Sequence, residues 1–366
     1  MNRRSTTAAA QTGCSLGINC GNGWSKSTGR YLKMRVLSTV GLLAVLLPSV
    51  ASSSIVSARG LQDIEGANAI LPWAFVINDP TTDDAETPDP DEVVSVPGSD
   101  LSIRRSDISI RNGPPDWHPD GHPSMPEVVS RGGGNGVAAC GYCHLPNGQG
   151  KPENAGLAGQ PFEYIIQQME DYRNGLRRTG EPRMGPPAFM MRIGAAATEE
   201  QARIAAEYFS SIDFRPWIRV IETDTVPVTR FAGSIHQVVE GAGTEPIGLR
   251  VVEIPEDLHR TELRDDASGF IAYVPVGAVG RGANLVNTGD DGRTVGCTIC
   301  HGTDLRGIGP VPALAGRSPS YMARQLYDLQ QGNRNGSWSD LMDRAVSNLT
   351  IEDIIDIVAY TASLEP

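Results

Sequence analysis

Two pentapeptides of this chain, CGYCH at 140–144 and CTICH at 297–301, each carry two thiols three residues apart and an imidazole directly after them. That spacing is the attachment signature of c-type haem, because the two thiols can form thioether bonds to the two vinyl groups of one porphyrin. The adjacent histidine can then bind the iron as its proximal ligand. The sequence therefore predicts two covalently bound haem c groups. The residues that would hold them are Cys140, Cys143 and His144 in the first motif and Cys297, Cys300 and His301 in the second.

Other uses of paired cysteines fit these motifs less well. A four-cysteine zinc ribbon has its two C-x-x-C knuckles about 15–20 residues apart, whereas 157 residues separate the two motifs here. A thioredoxin-like dithiol is single and lies in a βαβ pattern, which neither motif has. Zinc binding and dithiol chemistry therefore remain the lesser alternatives.

The similarity between the two halves of the chain extends well beyond the cysteines. At the same offset of 157 residues, LAGQ at 157–160 matches LAGR at 314–317. Self-similarity at a fixed period indicates two copies of one structural unit. Five further identities follow, which pair Tyr164 with Tyr321, Gln168 with Gln325, Asp171 with Asp328, Gly175 with Gly332 and Arg177 with Arg334.

Each copy ends in an amphipathic pattern that is typical of a capped helix. Thr198 and Thr350 are each followed three residues later by Gln201 or Asp353, which resembles a helix N-cap with a polar or acidic N3 residue. Apolar residues then recur along one face of each helix. The sequence also predicts a matching pair of earlier helices at 162–174 and 321–331, and short N-terminal helices around 127–129 and 281–286.

A methionine in each copy is the candidate for the sixth position of the iron. Counting back eight residues from each capping threonine gives Met190 and Met342, each expected on a flexible loop. A thioether is a soft ligand that favours Fe(II) and raises the reduction potential. The second loop contains one methionine, whereas the first contains Met184, Met190 and Met191. Register favours Met190, with Met191 next, and the remaining methionines would fill the core.

The order of these features resembles the tandem dihaem class I cytochromes c of the cytochrome c4 type, over about residues 127–212 and 276–366. That resemblance also implies a proline whose carbonyl orients the proximal imidazole. Pro312 matches it in the second copy, whereas the register puts Ala155 at this position in the first. A backbone carbonyl can accept the hydrogen bond without a proline. The axial iron ligands that the resemblance implies are His144 with Met190 and His301 with Met342.

The charge of the chain limits its partners. Six of the 31 basic residues and none of the 43 acidic residues lie in the first 58 positions, so the remainder has a net charge of −18. Lys151 is the one lysine left there, which excludes a lysine-ringed docking face. An electrostatically steered partner should present a basic patch, and no nucleic-acid partner is expected. The alternative is an acidic surface that is simply solvated.

Residues 1–58 are interpreted as a targeting segment. Basic residues precede an apolar run at 36–50, and small residues follow it. The run is nearer in length to a signal h-region than to the ~20 residues that cross a bilayer. Met34 is a possible true start, which would make Cys14 and Cys20 irrelevant. The sequence thus predicts export to the periplasm, with membrane association through an uncleaved segment as the alternative.

Residues 59–126 are rich in proline, aspartate and serine, and their acidic stretch is expected to be a flexible tether that buries no core. Closer to the first copy, His118 and His122 have the spacing of a metal pair on a helix. Prolines and a glycine within and after this pair exclude that helix, so a packed, wrapping loop is favoured. Trp73 and Trp117 are expected to anchor these segments on the domain surface.

The stretch 213–275 separates the two copies and alternates β-branched with polar residues, which indicates short strands. Its two histidines, His236 and His259, are not expected to be ligands. The fold class predicted is mainly α, with two cytochrome c folds in tandem, a strand-containing insert between them and an irregular N-terminal extension. The predicted boundaries are 1–58 for the signal, 59–126 for the extension, 127–212 for domain 1, 213–275 for the insert and 276–366 for domain 2.

These features favour an electron carrier. A methionine at the matching position of both copies closes both iron faces, whereas a catalytic haem has an open, labile or unusual distal ligand. The expected donor is a periplasmic dehydrogenase or cytochrome complex, and the expected acceptor is a terminal oxidase or another cytochrome. Two alternatives stay open: a dihaem enzyme of the peroxidase or thiosulfate dehydrogenase type, and the haem subunit of a periplasmic dehydrogenase complex.

Overall fold

The computed structural model describes residues 70–79 and 88–366. The predicted signal segment, the alternative start at Met34, and Cys14 and Cys20 lie outside these residues. Among the helices within them, none is long and apolar enough to span a bilayer.

The N-terminal extension contains little regular structure, yet it is well packed. Leu71, Trp73 and Phe75 are buried in the main hydrophobic core, and Trp117 is 1% exposed with its Nε1 donating to the Leu263 carbonyl at 2.7 Å. Both tryptophans thus pack against the rest of the protein, and Trp73 lies in the main core, not on a domain surface as expected. The prediction that the acidic part of the extension buries no core is wrong for 88–100, because Val94 is buried against Trp117. The regular elements are β1 (Val93–Val94), β2 (Ile103–Arg104), α1 (Arg105–Ile108) and a 3₁₀ turn at Pro119–Gly121.

The first helical group is held by a small apolar cluster in which Phe209 and Ala206 meet Ile165 and Val129. Thr198 forms a capping box with Gln201, as the sequence predicted, and this fixes the start of the last helix. The group consists of α2 (Glu127–Ser130), α3 (Cys140–His144), α4 (Phe162–Arg173), α5 (Gly185–Ala196) and α6 (Glu199–Ser210).

The stretch between the helical groups forms small sheets. In the three-stranded sheet the order is β3-β9-β8, with β3 parallel to β9 and β8 antiparallel to it. The other strands form two antiparallel pairs, β4 with β7 and β5 with β6. The bounds are β3 (Ile218–Glu222), β4 (Thr225–Pro227), β5 (Thr229–Ala232), β6 (Ile235–Val238), β7 (Thr244–Pro246), β8 (Val252–Pro255), α7 (Leu258–Glu262) and β9 (Phe270–Val274).

The second helical group builds the main core around α12. Gly282 lets α8 approach closely, because a Cβ at this position would collide with the backbone oxygen of Asp356. Arg281 then pairs with the Asp356 carboxylate at 2.7 Å across the same contact. Thr350 and Asp353 form the second predicted capping box. The group consists of α8 (Ala278–Thr288), α9 (Thr298–His301), α10 (Pro319–Gln330), α11 (Asp340–Val346) and α12 (Ile351–Ser363).

Candidate functional site

A cavity of about 460 Å³ lies between the two helical groups, and both C-x-x-C-H motifs line it. Much of its surface is apolar, which suits a flat hydrophobic ligand. The structure thus brings together the side chains that the sequence singled out in positions far apart in the chain. Those that line the cavity are Cys140, Cys143, His144, Met190, Met191, Cys297, Cys300, His301 and Met342.

The four cysteines of the motifs are free thiols on the single-turn helices α3 and α9 or at their ends. Burial raises the pKa of Cys140 to about 12 and that of Cys297 to about 11. The pairing of two thiols within one helical turn fits two thioether bonds to a single porphyrin.

Each motif histidine is held by a backbone carbonyl. His144 Nδ1 lies 2.8 Å from the Ala155 oxygen, and His301 Nδ1 lies 2.8 Å from the Pro312 oxygen. A carbonyl only accepts, so each Nδ1 carries the hydrogen and each Nε2 has a free lone pair. Burial lowers the pKa of both imidazoles and favours the neutral form that binds iron. The Ala155 carbonyl therefore orients its histidine as well as the Pro312 carbonyl does. The residues present at both motifs fit a haem.

The methionines correct one expectation. Met190 lies on α5 and Met342 on α11, not on flexible loops. Helix α5 can form because Pro186 and its neighbouring proline occupy the first turn, where proline costs no backbone hydrogen bond. Met184 is completely buried in the main core and does not line the cavity, whereas Met191 lines it beside Met190.

A partly buried polar network crosses between the two helical groups beside the cavity. Arg177 donates to Gln168 Oε1 at 2.7 Å within its own copy and to Tyr321 and Gln325 of the other copy at 2.9 and 3.0 Å. Arg334 donates to the same two glutamines, at 2.9 Å to Gln168 and 3.3 Å to Gln325. The network is nearly symmetric, because Gln168 and Gln325, and likewise Arg177 and Arg334, occupy matching positions in the two copies.

The sequence marked these five residues only as signs of the repeat. Their partnership across the copies was missed, although one signal was available. Long polar residues that recur at equivalent helical positions are unusual in a core, and they indicate a polar surface shared by the two copies. The network also continues through the backbone, where Arg178 N donates to the Asn333 oxygen at 2.8 Å and Asn335 N to the Leu176 oxygen at 2.7 Å.

The two motifs differ in how far they are covered. The guanidinium of Arg264 lies 3.7 Å from the ring centre of Tyr142 in the first motif and donates to the Tyr142 carbonyl at 2.6 Å. In the second motif, Ile299 occupies the matching position and is 71% exposed. Leu341, next to Met342, is 77% exposed. Two large apolar side chains at the second residue set are therefore exposed.

Known proteins resemble this chain through the same motifs, although no protein-family model matches it. Cytochrome c-554(548) of Halomonas halodenitrificans is 40% identical over 70 residues, which is 19% of this chain and 84% of that protein. Cytochrome c4 of Azotobacter vinelandii is 26% identical over 236 residues, 63% of this chain and 87% of that protein. The thiosulfate dehydrogenase electron acceptor of Stutzerimonas stutzeri is 27% identical over 244 residues, which is 65% of this chain and 85% of that protein.

Among solved structures, reduced recombinant cytochrome c4 from Pseudomonas stutzeri aligns with a TM-score of 0.41 and 21% identity, over 62% of this chain and 93% of that one. The relatives are c-type cytochromes, which hold haem covalently, in agreement with the two C-x-x-C-H motifs. The resemblance predicted from the motifs is confirmed. The chain belongs to the class I c-type cytochromes and resembles the dihaem cytochrome c4 family.

Proposed function

We propose that this chain is an exported dihaem cytochrome that carries single electrons by outer-sphere transfer. Its donor would be a periplasmic dehydrogenase or cytochrome complex, and its acceptor a terminal oxidase or another cytochrome. The observation that carries the proposal is that two complete residue sets, each with two thiols, one imidazole and a methionine, line one cavity between similar helical groups. Residues 127–212 and 276–366 would be the two haem domains.

Each residue set has a defined task. Cys140 and Cys143, and likewise Cys297 and Cys300, would form the thioether bonds, and His144 and His301 would bind iron through Nε2. Met190 and Met342 would each supply a second protein ligand to the iron. When bound, each haem supplies a one-electron Fe(II)/Fe(III) couple. The carbonyls of Ala155 and Pro312 keep both imidazoles in the tautomer that binding requires.

The two arginines of the polar network add positive charge at the cavity. Arg177 and Arg334 line the cavity, and their hydrogen bonds to the two glutamines hold both guanidinium groups in place. A fixed positive charge in a site of low dielectric favours acidic groups beside it. This pair would therefore neutralise the carboxylates that a haem carries, and its hydrogen bonds across the copies would hold the two domains together.

Carrier function is favoured over catalysis by the matching methionines. A dihaem peroxidase or thiosulfate dehydrogenase would need an accessible iron face, whereas Met190 and Met342 are both available to close one. The Stutzerimonas relative is named as the electron acceptor of thiosulfate dehydrogenase. That name supports a carrier that receives electrons from such an enzyme. The haem-subunit alternative differs only in whether the dehydrogenase stays bound.

Export rests on the N-terminal segment, in which basic residues, an apolar run and small residues follow one another as in a signal peptide. Attachment of c-type haem takes place outside the bacterial cytoplasm, as the family resemblance implies, so a signal segment is required. With a single lysine beyond position 58, the surface suits a partner that presents basic residues.

Spectroelectrochemical titration of the exported protein tests the proposal. We expect two reversible one-electron steps, the far-red methionine-to-iron band from both haems, and no turnover of added peroxide or thiosulfate. A band from one haem only, or catalytic turnover, would favour the enzyme instead. Purification of the native protein under mild conditions distinguishes a free carrier from the haem subunit of a dehydrogenase complex. A stoichiometric dehydrogenase should accompany the protein only if the protein is such a subunit.

A further inference from the structure

A second cluster of ligand-type side chains lies outside the repeat, where the N-terminal extension meets the insert. One donor atom each of His118, Asp265 and Asp266 lies within 4.8 Å of the others. Asp265 and Asp266 are 3% and 7% exposed, so two carboxylates share a buried position. A buried carboxylate without a partner is costly.

Asp265 is already fixed in orientation. Its Oδ1 accepts from the Ala267 backbone N–H at 3.0 Å and lies 2.9 Å from His118 Nε2, and its Oδ2 accepts from Arg260 Nε at 2.7 Å. One carboxylate is therefore neutralised by Arg260. Two ligands about 2.0 Å from a tetrahedral ion lie about 3.3 Å apart. His118 Nε2 and Asp265 Oδ1 are hydrogen-bonded to each other at 2.9 Å, so an ion between them would replace this bond after the two atoms move apart by about 0.4 Å.

Asp266 has no such partners. Both of its carboxylate oxygens are buried and accept no hydrogen bond from the described residues, and the hydroxyl of Ser268 beside it is also unpartnered. Asp266, Ser268 and His118 line a cavity of about 550 Å³ whose surface is part polar and part apolar. A buried carboxylate that faces donor atoms and has no donor of its own indicates a missing cation.

We propose that His118, Asp265 and Asp266 form a binding site for a divalent transition-metal ion of the zinc class. One imidazole nitrogen with two carboxylates suits zinc, whereas calcium and magnesium prefer oxygen ligands alone. Ser268 or a water would complete the coordination. The histidine pair suggested by sequence spacing is not used, because His122 bonds Asp116 through Nε2 and the Tyr208 hydroxyl through Nδ1.

The site would join two segments that the repeat does not explain. His118 belongs to the extension and both aspartates to the insert, and the preceding residue, Trp117, already bonds the Leu263 carbonyl. Arg264, between that carbonyl and Asp265, covers Tyr142 in the first haem-attachment motif. An ion bound at this site would therefore help to hold Arg264 in its position over Tyr142 of the first motif.

Zinc titration of the haem-loaded full chain tests the site, by calorimetry and by metal analysis after dialysis. We expect one zinc per chain in addition to the haem iron, with no competition from calcium or magnesium. Asp266→Asn and His118→Gln should each weaken zinc binding roughly tenfold or more. The exposed insert residues His259 and Asp224 supply matched controls, and His259→Gln and Asp224→Asn should bind zinc as the parent does.

Three results would overturn the proposal. They are the absence of retained zinc in the parent protein, unchanged binding by the Asp266→Asn variant, and preferential binding of calcium. The haem absorbance spectrum of each variant reports whether the protein is folded. Should Asp266→Asn fail to fold, the His118→Gln variant decides alone, because His118 is partly exposed and its loss leaves the carboxylates in place.

Discussion

Replacement of Arg177 by alanine should destabilise the protein through the network that joins the two helical groups. The side chain is 6% exposed, and its guanidinium reaches Gln168, Tyr321 and Gln325 at 2.7–3.0 Å. It also lies 4.7 Å from the ring centre of Tyr172. Each hydrogen bond from a charged donor contributes about 1.5–3 kcal/mol, but the loss is not the sum of three such values.

Two of the three acceptors keep a donor in the variant. Arg334 still donates to Gln168 and Gln325, so the Tyr321 oxygen alone loses its charged partner. Removal of the guanidinium also removes the cost of burying it. We therefore expect the free energy of unfolding to fall by about 2–4 kcal/mol for Arg177→Ala. The double variant with Arg334→Ala leaves both glutamines without a donor, so its loss should exceed the sum of the single losses by about 1–2 kcal/mol.

Equilibrium urea unfolding of the haem-loaded protein measures these values, followed by haem absorbance and by circular dichroism. Arg203→Ala is the matched control, because Arg203 is an exposed arginine on α6 that pairs with Glu200 on its own helix. Its loss should leave the midpoint unchanged. The reasoning fails if Arg177→Ala unfolds at the same midpoint as Arg203→Ala, or if the two network variants are strictly additive.

The remaining predictions concern the haem ligands, partner contact and pH. Met342→Ala should remove the far-red band of one haem and lower its potential, whereas Met184→Ala should keep both bands and cost about 2–5 kcal/mol of stability. Ile299→Gln should slow reduction by a protein partner severalfold in stopped-flow measurements, with unchanged potentials, because it removes exposed apolar contact area. Burial raises the pKa of Glu253, so the folded protein binds its proton more tightly than the unfolded chain. Stability should fall as pH rises above the unfolded pKa of Glu253, near 4.5, and Glu253→Gln should flatten this dependence in melting curves.

Each of these predictions has a result that would contradict it. Loss of a far-red band in the Met184 variant would mean that the ligands have been assigned wrongly. Unchanged partner kinetics for Ile299→Gln would mean that the partner docks elsewhere. For the pH experiment, Glu256→Gln is the control, because Glu256 is exposed and follows Glu253 closely in the chain. If the pH dependence of stability changed equally in both variants, a specific role for the buried Glu253 carboxyl would be excluded.

Features encoded by short stretches of sequence could be predicted well. The thiol and imidazole spacing identified the attachment motifs, and a threonine with a polar residue at N3 located the start of both last helices. The helix predicted at 162–174 is found at Phe162–Arg173, and the one predicted at 321–331 at Pro319–Gln330. Capping and helical periodicity depend on neighbours within one or two turns, so the sequence contains all the information needed.

Features that depend on distant contacts could not be predicted. The acidic, proline-rich composition of the extension suggested a tether, yet Val94 within its acidic stretch is buried in one cluster with Trp117 and Leu263. The average composition of a segment does not show that a few of its apolar residues are buried against distant parts of the chain. The loop expected around Met190 is a helix because proline is tolerated in a first turn. The cross-copy bonds of Arg177 required knowledge of how the two copies face each other.

The segments outside the repeat make two similar sites unequal. Within the repeat, His144 and His301 are held by 2.8 Å bonds to a backbone carbonyl, so the hydrogen bonds that orient the two imidazoles match. The insert then adds Arg264 over the first motif, while Ile299 of the second stays 71% exposed. Outer-sphere transfer weakens with distance, so a covered motif exchanges electrons with a partner less readily than an open one. For the carrier proposed above, we therefore expect partner contact at the second motif, with the first motif reached through the protein.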